Sequence, residues 1–209
     1  HAYLGDIDPD RPGLEIYYGI ESPRPDGNGM CLVDAKSGEI IWGIDFPTHH
    51  VHSQGLCSDI DRVHPGRECY SGEISPAEGK RTDFVVMHSS KGEIIDREII
   101  GGLSPLAVYW DTDNQRELLV DGKIYDYRGP TVHHENVEGK VIAVADIFGD
   151  WREEIITSVP GELRIYTSTI YSNSRYTCLM QDPIYRNNVA HGSMGYTLVP
   201  MTTYDLPFK

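Results

Sequence analysis

Gly5-Asp-Ile-Asp-Pro-Asp-Arg-Pro-Gly-Leu-Glu-Ile-Tyr17 is the stretch whose reading decides the fold. Asp6, Asp8 and Asp10 alternate, Gly13 follows, and Glu15 opens an apolar run. A calcium ion takes about six to eight oxygens at roughly 2.3–2.6 Å, and alternating carboxylates on a tight loop, closed by one more carboxylate, can wrap that sphere. The spacing is not that of an EF-hand, whose loop joins two helices and carries its Glu later. Here the flanks are apolar and β-branched, so the loop is expected to join two strands.

The pattern recurs. Asp59-Ile-Asp61 leads through Pro65-Gly66 to Glu68, Asp111-Thr-Asp113 leads to Glu117, and Asp146-Ile-Phe-Gly-Asp150 leads to Glu154. The first three copies are spaced at about fifty residues, and the fourth follows sooner, which is the range of propeller blades. One copy alone reads as an acidic turn. Four copies, each ahead of an apolar strand, read as cation loops that tie together the strands of a blade. Most of these carboxylates are therefore expected to hold the fold and not to take part in chemistry.

Around the first loop, strands are expected at 3–5, 14–20, 30–34 and 39–44, with a hairpin turn that needs a glycine at Gly38. Four strands in about fifty residues make one blade. The fold class is therefore all-β, a β-propeller, with blades at about 3–50, 51–103, 104–135 and 136–209. No stretch shows sustained helical periodicity, and 171–204 reads as a closing segment that completes a blade or caps the channel. Blades number about four to eight per ring. Given the abrupt start at His1, the expectation is half of a larger propeller, with the remainder before His1.

Composition narrows the partners. Eighteen Lys and Arg stand against 32 Asp and Glu, a net charge of −14, which argues against nucleic acid or an anionic membrane surface. A polyanion would also be repelled unless bound cations invert the local field. No segment reaches the apolar length of a membrane span. Cys31, Cys57, Cys69 and Cys178 match no zinc spacing, and only Cys57 and Cys69 are weighed as a pair for an oxidising compartment.

The strings Gly5–Glu15, Ser58-Asp-Ile-Asp61, Arg116-Glu-Leu-Leu119, Gly149-Asp-Trp-Arg-Glu-Glu154, Leu163-Arg-Ile-Tyr-Thr167 and Asp182-Pro-Ile-Tyr-Arg186 occur in that order. Through them the chain resembles the rhamnogalacturonan lyases of polysaccharide lyase family 11. The resemblance implies an eight-bladed propeller that binds many calcium ions, here its C-terminal half. It implies endolytic β-elimination in a pectin backbone of alternating rhamnose and galacturonate, and a secreted, periplasmic or cell-surface location. It places Glu21 as a ligand of the active-site calcium. Its acid/base candidates fall on Lys140, in Asn136-Val-Glu-Gly-Lys140, and on Tyr196. The match departs at the substrate-facing positions. The string around Lys140 is altered, and Gln54 stands where the family has an arginine, beside His52. His52, Gln54 and Asn136 are the substrate-binding candidates.

The chemistry agrees with the composition. A uronate lyase removes the proton next to a carboxylate, and that proton is weakly acidic while the carboxylate is anionic. A cation neutralises the charge and stabilises the developing enolate. An acidic protein acting on an acidic polymer therefore needs Ca2+, and the metal ligands expected are Asp6, Asp8, Asp10, Glu15, Glu21, Asp59, Asp61, Glu68, Asp111, Asp113, Glu117, Asp146, Asp150 and Glu154. His49, His50, His52, His133, His134 and His191 read as polar loop residues more readily than as a metal cluster. Two other functions are open from the residues: a non-catalytic propeller that binds glycans or protein, and a lyase for another rhamnose- and uronate-containing polymer.

Overall fold

The structure, a computed structural model, describes residues 2–206 except 53, 54, 76 and 193. Among the described residues the strands form four antiparallel sheets of propeller type, and the chain divides into two compact units, His1–Pro105 and Leu106–Lys209. In three of the sheets four strands follow one another in chain order, as short hairpin connections require.

In the first unit, β1 (Tyr3–Gly5), β2 (Glu15–Gly19), β3 (Met30–Asp34) and β4 (Ile40–Gly43) make one sheet. The second consists of β5 (Leu56–Ser58), β6 (Glu68–Ile74), β7 (Arg81–His88) and β8 (Ile94–Asp96). Strand β2 alternates, with Glu15, Tyr17 and Gly19 buried and Ile16 and Tyr18 half-buried, the period of a pleated strand. Two buried phenols join the sheets: Tyr3 donates to the Gly55 carbonyl at 2.7 Å, and the Tyr17 and Ser71 hydroxyls lie 2.5 Å apart. Gly38 turns the β3–β4 hairpin at φ 76°, and Asp34 accepts the Lys36 and Ser37 N–H groups beside it. Gly66 is forced by contact: a Cβ there would lie 2.6 Å from the Ile7 carbonyl oxygen of the first loop. Cys57 and Cys69 face each other across β5 and β6 as thiols, with their sulfurs 3.9 Å apart.

In the second unit, β9 (Leu106–Val108), β10 (Glu117–Val120), β11 (Lys123–Tyr125) and β12 (Val132–His134) form the third sheet. The fourth holds three strands among the described residues, β13 (Lys140–Ala145), β14 (Glu154–Val159) and β15 (Glu162–Tyr166). Val108, Trp110, Leu119, Ile124, Val144 and Ile155 pack into one core.

The closing segment corrects the expectation of a helix-free chain. A 3-10 turn at Leu179–Gln181 leads into α1 (Pro183–Gly192), which packs on β13. The reason is local. Asp182 accepts the Ile184 and Tyr185 N–H groups at 2.9 and 3.0 Å, an N-cap, and Pro183 needs no donor at the first helical position. Tyr185 is the helix's buried anchor, within a cluster that includes Tyr109, Trp151 and Leu179. A buried ion pair ties this segment to the sheets. Arg116 donates to both Glu153 oxygens at 2.8 Å and to the Pro200 carbonyl at 2.9 Å, and Tyr185 donates to Glu153 at 2.6 Å.

Candidate functional site

Each acidic loop is closed by a glutamate from the start of the next strand. Glu15 Oε2 accepts the Ile7 and Asp8 N–H groups at 3.0 and 3.2 Å, and Glu68 Oε2 accepts those of Ile60 and Asp61 at 2.9 and 3.0 Å. Glu117 Oε2 takes the Trp110 N–H at 2.8 Å, and Glu154 Oε2 those of Ile147 and Phe148 at 3.0 and 3.2 Å. Burial pushes all four carboxyls above the usual range, and the backbone donors pull them back in part. The loop aspartates add Asx turns: Asp8 accepts from Asp10, Asp61 from Val63, Asp111 from Asp113 and Asp113 from Gln115.

The loops differ in what they leave for a cation. In the first, the Lys91 ammonium bonds Asp8 and Asp10, while Asp6 is half-buried beside them. In the second, His64 Nδ1 lies 2.8 Å from Asp61 and Asp59 is buried. Glu15 and Glu68 each keep a buried Oε1 with no hydrogen-bond partner among the described residues, as fits an oxygen reserved for a hard cation. In the fourth loop the donors are the protein's own. Asp146 accepts the Gly149, Trp151 and Leu179 N–H groups, Glu154 also takes the Thr167 hydroxyl, and Asp150 pairs with Arg152.

The third loop has the fullest donor set. Asp111, Glu117, Asp126 and His133 present ligand atoms all within 4.8 Å of one another, and Asp113 is next to them in sequence. His133 Nε2 lies 2.7 Å from Asp126 and 4.0 Å from Asp111, and its side chain is nearly buried. Three carboxylates and an imidazole fit a divalent metal ion. Sequence reading missed Asp126 and set His133 aside as a loop residue. Both belong to the far hairpin of the sheet, β11 and β12, and no local spacing links them to Asp111.

The acid/base candidates lie in the second unit. Lys140, exposed, begins β13, and Tyr196, half exposed, stacks on His191 with centroids 6.5 Å apart and planes at 13°. Lys140, Val141 and Ala143 form one wall of a mostly apolar groove of about 650 Å³, and Val189, Gly195 and Thr197 another. The groove therefore brings Lys140 next to the residues on either side of Tyr196. Asn136 is exposed four residues before Lys140 and donates to Glu138 at 3.1 Å.

The remaining candidates belong to the first unit. Glu21 is exposed just past β2. Burial holds the His52 imidazole below its ordinary range, and the Glu21 charge pulls the other way, so the two sense each other. Gln54 lies outside the described residues.

The family model for rhamnogalacturonan lyase family 11, C-terminal domain, matches residues 1–207. The chain belongs to this family. A rhamnogalacturonan endolyase of Bacillus subtilis, YesW, is 31% identical over 98% of the chain, and the exolyase YesX of the same organism is 30% identical over 98%. The chain spans about a third of the length of these curated relatives, 33% and 36%. Their crystal structures superpose on 99% of it with TM-scores of 0.74 for YesW and 0.75 for YesX. The propeller fold of the chain is thereby shared with solved relatives at about 30% identity.

Proposed function

We propose that the chain is part of an enzyme that cleaves rhamnogalacturonan-type pectin by β-elimination at galacturonate, with calcium as its cation. Family membership supports the reading, and one geometric observation carries it to residues: Lys140 and the loop around Tyr196, far apart in sequence, border the same groove. A bound cation supplies neutralisation of the uronate carboxylate, which makes the neighbouring C–H more acidic. The family resemblance assigns Glu21 to a calcium ion and His52, Gln54 and Asn136 to sugar contacts, and these assignments rest on the resemblance alone. Lys140 and Tyr196 divide the proton work. One takes the proton from the ring carbon, the other returns a proton to the departing glycosidic oxygen, and a ring double bond remains.

On this reading the sheets are blades of a larger ring, at 3–50, 51–103, 104–135 and 136–209, completed by protein N-terminal to His1. A polymeric substrate places the enzyme in the secreted, periplasmic or cell-surface compartment. In the whole enzyme, Lys140→Ala and Tyr196→Phe each lower kcat by about 10²–10⁴-fold, measured as the appearance of ultraviolet-absorbing unsaturated ends with calcium supplied. Wild-type rates in both variants would overturn the assignment.

A further inference from the structure

We propose that the fourth sheet carries a second sugar-binding site, for a uronate-bearing stretch of polymer, at the end opposite the Lys140 groove. The substrate class rests on the function proposed above; the site itself rests on geometry. Lys140 pairs with Ser158 and Ser158 with Leu163, which marks one end of the sheet. At the other end Ala145 pairs with Glu154, and Ile155 with Tyr166. The six residues of β13 separate the two ends by about 17 Å. One sugar ring cannot touch both.

At that far end the β13–β14 loop and the chain leaving β15 enclose a cavity of about 500 Å³, bordered by Arg152, Thr169, Tyr171 and Arg175. A second cavity of about 380 Å³ continues from it, sharing Thr169 and Ile170 and walled by Trp110, His133, His134 and Tyr166, with His133 turned to Asp126 at the third loop. Two guanidiniums at one cavity are unexpected in a chain of net charge −14. Asp150 offsets one of them, accepting from Arg152 Nη2 at 2.8 Å. Arg152 also donates to the Ile170 carbonyl, and its Nε–H has no acceptor among the described residues. Arg175 Nη1 is fixed by the Ser172 and Ser174 carbonyls at 3.0 and 2.9 Å, which hold its charge in place. The lining of the first cavity therefore carries one net positive charge, which favours a carboxylate there. Tyr171 is 78% exposed, and its hydroxyl donates to Asn173 at 2.8 Å. A held, exposed ring offers the flat apolar surface on which the C–H face of a pyranose stacks. A fixed guanidinium beside it pairs with the carboxylate of the same sugar. A cationic first cavity continued by an aromatic second one thus fits a sugar chain whose carboxylate sits in the first, and the site would hold the polymer while the Lys140 groove works on another stretch.

The test uses the whole enzyme and the variants Arg175→Gln, Tyr171→Ala and the pair, none of which touches the Lys140 groove. Affinity electrophoresis through rhamnogalacturonan, with a neutral galactan as control, reads binding. Turnover of polymer against a short oligosaccharide reads its consequence. The double variant is expected to lose retention by about tenfold and to raise KM on polymer, with kcat/KM on the oligosaccharide within about twofold of wild type. Unchanged retention, or equal losses on polymer and oligosaccharide, would overturn the site. Wild-type enzyme that cleaves no uronate polymer would instead overturn the lyase reading, and a retention loss in the variants would then still support the sugar site.

Discussion

Glu68 and Glu154 occupy the same place on their sheets, yet Glu154 has both oxygens satisfied by protein donors while Glu68 keeps one oxygen buried and unbonded. Sequence marks the two as equals, because the motif records residue type and not the donors that tertiary packing brings. The same holds for His88, which reads as an ordinary strand residue. It is almost wholly buried, its ring 5.0 Å from that of Trp42. Burial and the nearby Arg97 lower its pKa to about 4, while a hydrogen bond to the Cys69 backbone opposes them. The unfolded chain takes up this proton near pH 6.5 and the folded chain only near pH 4. Stability present above pH 6.5 is therefore lost as pH falls through that window, by up to about 3 kcal/mol. Urea titrations across the window should show the fall, and His88→Gln should flatten it.

At the scale of elements, the strands were legible where a short apolar run meets a turn signal. The Met30–Asp34 strand and the Gly38 turn follow directly from local pattern. Helix α1 was not, because its apolar periodicity is weak and its stability comes from Tyr185 inserted among Tyr109, Trp151 and Leu179. The local signal that could have found it is Asp182-Pro183, a cap followed by the residue best suited to the first helical position. Asp182 also accepts the Thr203 N–H at 2.9 Å and the Thr203 hydroxyl at 2.5 Å, so it holds the chain after the Tyr196 loop as well as the helix before it. Asp182→Ala should cost about 1–2 kcal/mol, read by thermal melting. Because the helix wall borders the Lys140 groove, it should also lower kcat.

At the scale of the molecule, the acidic loops concentrate the carboxylates of a chain with net charge −14. The third loop is the place to test a cation's part, since Asp126 and His133 join it only through the sheet. Calcium at about a hundred times its Kd should stabilise the intact enzyme by roughly 2.7 kcal/mol per site. Calorimetry of Asp126→Asn combined with His133→Gln should show a smaller calcium-dependent rise in Tm than wild type. A rise of the same size in that variant would mean that calcium acts elsewhere.

The sequence by itself determined the repeat, the hairpin succession of strands in the first sheet and the position of every acidic loop. These depend on contacts between residues close along the chain, and such contacts are written in spacing. Only the tertiary structure decided which carboxylates keep a buried oxygen with no hydrogen-bond partner among the described residues, that Asp126 and His133 join Asp111 and Glu117, and that Lys140 shares a groove with the Tyr196 loop. Those outcomes depend on which distant segments are packed together, and packing at long range leaves no period for a local motif to record.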